Sequence, residues 1–217
     1  MRTDELIERL ARDARPVRPL AAPPLRAALW LAIALPFMVA MVLVISPRPD
    51  LLEQLGSSRY LLEQFAALAT AVAAAVAAFA AVVPGIDRRL IWLPAVPGAA
   101  WVASLGLGCV RDWLALGAEG LRVTPDPECL FYIAMIGSVP AVAMVVMLRR
   151  GAPVAPRLAL FLAALAAAAV GSFGLRLFHT EDAGLMVLIW QFGSVALLAA
   201  LGGLVGGRLL NWRHRLD

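Results

Sequence analysis

Apolar residues along this 217-residue chain gather in six long blocks, at about residues 26–45, 60–83, 90–108, 130–148, 158–177 and 184–209. Each block reaches the roughly 20 residues that an α-helix needs to cross about 30 Å of hydrocarbon. The pattern predicts an all-α polytopic membrane protein of six transmembrane helices. An N-terminal segment at 1–25 precedes the bundle at 26–209, and a short tail follows at 210–217. No block carries a charge in its middle, which argues against an ion-coupled transporter. The first block starts late and lacks a small-x-small cleavage site, so it reads as a retained signal anchor rather than a cleaved leader.

Ahead of the blocks, residues 3–14 have a different period. Leu6, Ile7, Leu10, Ala11 and Ala14 fall on one helical face. Glu5/Arg9 and Glu8/Arg12 are i, i+4 pairs on the other, and Asp4 and Glu5 suit the positive end of the helix dipole. A helix this short is marginal alone and needs a surface to pack on, either the bundle and lipid or a cytoplasmic partner. Prolines at 16, 19, 23 and 24 then predict a semi-rigid extended spacer. Between the first two blocks, Asp50-Leu-Leu-Glu-Gln-Leu55 predicts a short surface helix. Inside the blocks, the second is nearly polyalanine from 66 to 81, and the sixth holds Gly202-Gly-Leu-Val-Gly-Gly207. Small residues of this kind let backbones approach closely in lipid, and packing within the bundle is a simpler use of them than dimerisation. Oligomeric state is left open. Trp30, Trp92, Trp101, Trp113, Trp190 and Trp212 fall mostly toward block ends, as interfacial tryptophans do.

Charge then orients the chain. All nineteen basic residues are arginine, and net charge is +4. With six spans both termini share a side. Fourteen arginines fall on that side and five, Arg48, Arg59, Arg111, Arg122 and Arg176, on the other. Arginine collects in the cytoplasm, so the termini are expected inside. In a membrane protein this basicity reads as topology and not as nucleic-acid binding.

Candidate chemistry is sparse. Two cysteines, Cys109 and Cys129, bracket the polar segment between the third and fourth blocks, on the outer side by this topology. They are too few for a disulfide scaffold and lack the C-x-x-C spacing of thioredoxin-type chemistry. A structural disulfide, two buried thiols, or a sensing pair all fit. His179, with Glu181 and Asp182 beside it, belongs to the third loop on the same side. Two thiolates and an imidazole make a soft-metal set, although His-x-Glu-Asp on its own is more often a solvated loop. There is no Gly-rich phosphate loop, H-E-x-x-H or G-x-S-x-G, so no enzyme, resident cofactor or small-molecule substrate is expected.

Several segments, in order, carry a resemblance: Met1-Arg-Thr-Asp-Glu-Leu-Ile-Glu-Arg-Leu10, Pro16-Val-Arg-Pro19, Ser104-Leu-Gly-Leu-Gly-Cys109 with Asp112-Trp113, Glu128-Cys129-Leu130, Arg149-Arg-Gly-Ala-Pro153, and Arg176-Leu-Phe-His179 before Met186-Val-Leu-Ile-Trp190. Over nearly its whole length the chain resembles the NrsF-type membrane anti-sigma factors. The resemblance implies a six-span protein of the bacterial inner membrane that holds an extracytoplasmic-function sigma factor inactive. It implies release on periplasmic oxidative or heavy-metal stress, with Cys109 and Cys129 as the sensing pair and transient metal binding the only cofactor-like role. Asp4, Leu6, Ile7 and Leu10 are then the expected sigma-factor docking residues. The rival classes are a periplasm-facing thiol oxidoreductase, which the absence of C-x-x-C opposes, and a small transporter or structural membrane protein.

Overall fold

The structure, a computed structural model, describes residues 3–13, 20–85 and 87–210. Among these, every regular element is helical. In order they are α1 (Thr3–Asp13), α2 (Pro23–Ile45), the short α3 (Leu51–Leu55), α4 (Ser58–Ala80), α5 (Ala95–Leu116), α6 (Glu128–Leu148), α7 (Pro156–Leu175) and α8 (Gly184–Leu209). Single 3-10 turns at Arg88–Trp92 and Gly117–Leu121 flank α5, and Val187–Phe192 inside α8 is π-helical. Six helices, α2 and α4 to α8, are long and apolar enough to cross a membrane. The surface helix expected after Pro49 is α3. The spacer at 14–19 (with Ala14 of the amphipathic face) and the tail at 211–217 (with Trp212 and His214) lie outside the described residues.

Alanine decides which helices sit in the middle. The bundle buries 72% of the most apolar stretch of α7 and 61% of that of α4, against 22% for α2. Both central helices are built largely from alanine, with Ala71, Ala74, Ala166 and Ala169 wholly buried. Alanine is the best helix former, and its small side chain lets helices close to contact, where dispersion takes over from the hydrophobic drive that lipid removes. Around α7 pack α4, α6 and α8. At the α6 crossing, a Cβ on Gly171 would collide with the Ile133 carbonyl oxygen. At the α8 crossing, a Cβ on Gly206 would lie 2.6 Å from the Pro156 carbonyl oxygen. The overlapping glycine pairs of α8 are thus used within the chain.

Two expectations need correction. The third apolar block was taken to end at 108, but α5 continues through Cys109, Arg111, Asp112 and Trp113 to Leu116. Polar residues do not stop a helix. Gly117 does, at φ +61° and ψ −141°, a backbone conformation that glycine adopts without the steric cost a Cβ would bring. Trp30 and Trp101 are core residues, not interfacial ones, at 0% and 3% exposed. Trp30 Nε1 donates to the Pro140 carbonyl of α6 at 2.9 Å, and Trp101 stands edge-on to Phe192 at 5.4 Å.

The helices leave two ends. At one, called here the Arg149 end, α2 enters the bundle. Arg26 Nη2 donates to the Met147 carbonyl at 2.6 Å and its guanidinium lies 4.5 Å from the Phe79 ring centre. A cation there complements the C-terminal dipole of α6. At the opposite, His179 end, α7 finishes and α6 and α8 begin. Preceding α2 in the chain, α1 buries none of its residues, and its apolar face of Leu6, Ile7 and Leu10 is 40%, 59% and 64% exposed.

Candidate functional site

At the His179 end three side chains from distant parts of the chain converge. The α7 helix closes with a tight turn in which Phe178 and His179 N–H groups both bond back to the Leu175 carbonyl. Phe178 packs edge-on against Tyr132 of α6 at 5.2 Å, which ties this turn to α6. Cys129 lies one helical turn before Tyr132, in the first turn of α6. Asp126 precedes that helix by two residues, and its backbone carbonyl accepts from the Cys129 N–H at 3.3 Å. The Cys129 thiol donates to Asp126 Oδ2 at 3.0 Å. His179 Nε2 lies 2.9 Å from the same oxygen and 3.9 Å from the Cys129 sulfur. All three ligand atoms fall within 4.8 Å of one another. Burial favours the neutral acid, but the bonds from Cys129 and His179 outweigh it and hold the Asp126 carboxyl below its ordinary pKa.

A sulfur, an imidazole nitrogen and a carboxylate oxygen form a donor set for zinc-like and softer divalent ions. Tetrahedral coordination at ordinary zinc bond lengths places sulfur and nitrogen ligands ~3.6 Å apart and nitrogen and oxygen ligands ~3.3 Å apart. The sulfur–nitrogen and nitrogen–oxygen separations are within a few tenths of an ångström of that geometry, and the sulfur–oxygen separation of 3.0 Å would have to open by about 0.6 Å. Binding would displace the thiol proton and the proton shared by His179 and Asp126.

Beneath this triangle runs an ionic chain of three arginines and four carboxylates. Ser46, at φ +89°, reverses the backbone after α2. Arg48 then turns inward, its side chain only 1% exposed. Arg48 Nε pairs with Asp50 Oδ1 at 2.7 Å, and its Nη2 with Asp182 Oδ2 at 2.5 Å. Asp182 Oδ1 passes to Arg176 Nη1 at 2.8 Å, and Arg176 Nη2 to Glu63 Oε2 at 3.0 Å. Glu63 Oε1 accepts from Arg59 Nε at 2.9 Å, and Arg59 Nη1 reaches Asp112 Oδ1 at 3.5 Å. Asp112 Oδ2 finally accepts the Gly184 N–H that opens α8, at 2.7 Å. The chain therefore links the ends of α2, α4, α5, α7 and α8. Its bonds to Arg48 hold the Asp50 carboxyl well below the usual carboxylate range. Asp182 and Asp50 in turn raise the Arg48 guanidinium further above its ordinary value. One bond joins chain and triangle: Arg48 Nη1 donates to the His179 carbonyl at 3.2 Å.

The sequence candidates divide between the two features. Cys129 and His179 meet in the triangle. Cys109 does not, lying instead on α5 where the start of α8 crosses, its backbone N 2.6 Å from where a Cβ on Gly184 would be. Both thiols are free. Asp182 belongs to the ionic chain, and Glu181 Oε1 accepts from the Ala183 N–H at 3.1 Å. Asp126, Glu63, Arg176, Arg48 and Arg59 were not among the candidates. Asp126-Pro-Glu-Cys129 carried a signal, a carboxylate three residues before a thiol at a helix start.

A family profile described as negative regulator of sigma F matches residues 10–212. The chain belongs to that family. No curated protein and no solved structure matches it. As a negative regulator of sigma F, the protein is by family an anti-sigma factor, a regulatory role whose partner is a sigma factor. The matched span takes in every member of the triangle and of the ionic chain.

Proposed function

We propose that this anti-sigma factor lies in the bacterial inner membrane with both termini in the cytoplasm. There it holds an extracytoplasmic-function sigma factor through α1 and releases it when a soft divalent metal ion is captured at Cys129, His179 and Asp126. The observation that carries the reading is the convergence of those three ligand atoms within 4.8 Å. Arginine distribution along the sequence supports the orientation, because fourteen of the nineteen arginines fall in the segments on the termini's side of the six spans. The uncovered face of Leu6, Ile7 and Leu10, with Asp4 in its first turn, supports α1 as the docking element.

Metal capture draws His179, Cys129 and Asp126 into one coordination sphere and shifts the α7 turn relative to α6. Arg48 holds the His179 carbonyl, so the shift loads the ionic chain that ties α2, α4, α5 and α8. A ligand that binds one bundle state and not the other, at about 100 times its Kd, shifts the balance by about 2.7 kcal/mol. Oxidative pairing of Cys109 with Cys129 is less favoured, because Cys109 stands apart from the triangle.

The test is co-purification of the tagged protein with its sigma factor in mild detergent, with and without cadmium. The expected result is a stoichiometric complex that needs residues 3–13, dissociates with cadmium, and persists with cadmium in Cys129→Ser. A complex indifferent to residues 3–13 removes α1 as the docking element, and metal release unchanged in Cys129→Ser removes the sensing site.

A further inference from the structure

The Arg149 end carries a feature that the proposed docking through α1 does not use. Two apolar grooves, of about 750 and 780 Å³, lie on either side of Trp92. The first runs between the end of α4 and the start of α7, walled by Leu158 and Phe161, with Arg88 in its lining. The second runs along α4 from Val76 to Phe65, with Arg89 in its lining. That length of α4 is about 16 Å at 1.5 Å per residue, close to half of a ~30 Å hydrocarbon core. Trp92 itself is 75% exposed between the grooves. The two arginines are neighbours on the 3-10 turn Arg88–Trp92, which crosses the groove ends. Among the described residues, no carboxylate forms an ion pair with either. Asp87 caps this turn by accepting the Arg89 backbone N–H at 2.9 Å.

We propose that this is a binding site for one diacyl phospholipid with a net negative headgroup. Its phosphate sits between Arg88 and Arg89, one acyl chain lies in each groove, and Trp92 fills the fork between the chains. The charge selects the headgroup. An anionic headgroup gains both guanidinium contacts, whereas the ammonium of a zwitterionic one opposes them. Basic residues near an anionic lipid surface contribute about 1 kcal/mol each, roughly fivefold in affinity. Two arginines give a preference of roughly thirtyfold. The site's apolar length and its tryptophan match the layering of a leaflet, with headgroup, interface and chain in order. The proposal is independent of the sigma-factor reading and is tested without any sigma factor.

The experiment titrates purified full-length protein in neutral detergent with phosphatidylglycerol or phosphatidylcholine carrying the same bromine-labelled chains. Bromine quenches nearby indoles, and subtraction of the Trp92→Phe signal isolates Trp92. Half-quenching of Trp92 is expected at roughly thirtyfold less phosphatidylglycerol than phosphatidylcholine. Arg88→Gln with Arg89→Gln should remove that preference. Both side chains are exposed, so the double variant should keep the wild-type thermal midpoint in lipid-free detergent. As a check that does not depend on the variants, raised salt should weaken phosphatidylglycerol quenching and leave phosphatidylcholine quenching unchanged. Equal quenching by the two lipids, no Trp92 quenching by either, or a preference that survives the double substitution would each overturn the proposal.

Discussion

Replacing Glu63 with glutamine removes the central charge of the ionic chain. The Glu63 side chain is 3% exposed and accepts from both Arg59 and Arg176. Arg176, itself 6% exposed, would keep Asp182 as its one carboxylate partner, at 2.8 Å, beside the Glu181 carbonyl at 2.9 Å. Arg59 would keep only the longer contact to Asp112, at 3.5 Å. Breaking a buried pair by neutralising one partner costs about 3–5 kcal/mol where the other charge is left alone, and the carboxylates that Arg176 and Arg59 retain put this loss at the lower end of that range. The exposed pair of Arg122 and Glu119, with side chains 74% and 65% exposed, is the control. Glu119→Gln should cost no more than about 1 kcal/mol, since such pairs are solvated and screened. Arg176→Met on its own should also be costly, because it strands Glu63 and Asp182. Combined with Glu63→Gln it should cost clearly less than the sum of the single losses, by about 1–3 kcal/mol, because both members of the Glu63–Arg176 pair are then gone and neither is left charged without the other. The assay is reversible denaturant unfolding in mixed micelles, followed by circular dichroism. A Glu63→Gln variant within about 1 kcal/mol of wild type, or a strictly additive double variant, would refute the view that these residues form one buried electrostatic unit.

Cys129→Ser should weaken cadmium binding by tenfold or more and abolish the near-ultraviolet sulfur-to-metal absorption, while Cys109→Ser leaves both in place; equal loss in the two variants would show that the triangle is not the site. The acid limb of the thermal midpoint carries a second signature. Asp50 has its folded-state pKa lowered by Arg48, so its contribution is full above the unfolded value near 3.9 and is lost as pH falls below that toward the folded value. Asp50→Asn should therefore lower the midpoint at neutral pH and make it flatter below about pH 4, and an unchanged acid limb would contradict the pairing. Two glycines should respond with opposite sign. Gly171→Ala pushes a Cβ into the Ile133 carbonyl oxygen and should cost about 1–3 kcal/mol. Gly106→Ala enters open space in α5 and should gain about 0.5–1 kcal/mol from reduced chain entropy, both read by the same unfolding assay.

The six spans were legible because each is a long apolar block, a property of local sequence alone. The α5 boundary was not, because Arg111 and Asp112 look like loop residues until Asp112 is seen bonded to Arg59 and Gly184. The same cause hid the ionic chain. Arg48, Arg59 and Arg176 read one at a time mark a membrane face, and Glu63 reads as a charge tolerated near a helix end. Only the folded bundle brings residues as distant as 48, 63 and 182 into one line. The metal triangle was half legible. Cys129 and His179 are conspicuous by type, but the third ligand lies 53 positions before His179, and the acids beside His179 drew the attention that Asp126 required. Trp30 shows a limit of another kind, since a tryptophan near a block end fits a lipid interface and a core hydrogen bond equally well.

The alanine faces of α4 and α7 have a mechanical consequence. A methyl group has no rotamer to lose and makes no deep ridge, so two such faces meet as smooth surfaces with little interdigitation to fix their register. Axial position must then be fixed by contacts elsewhere. At one end Glu63 and Gln64 of α4 hold Arg176 and the Phe173 carbonyl. At the other, the Val82 carbonyl just beyond α4 accepts the Ala152 N–H of the turn that leads into α7. The helix pair resembles a lubricated rail with a clasp at each end, and loosening one clasp frees a sliding motion whose cost along the rail itself is low.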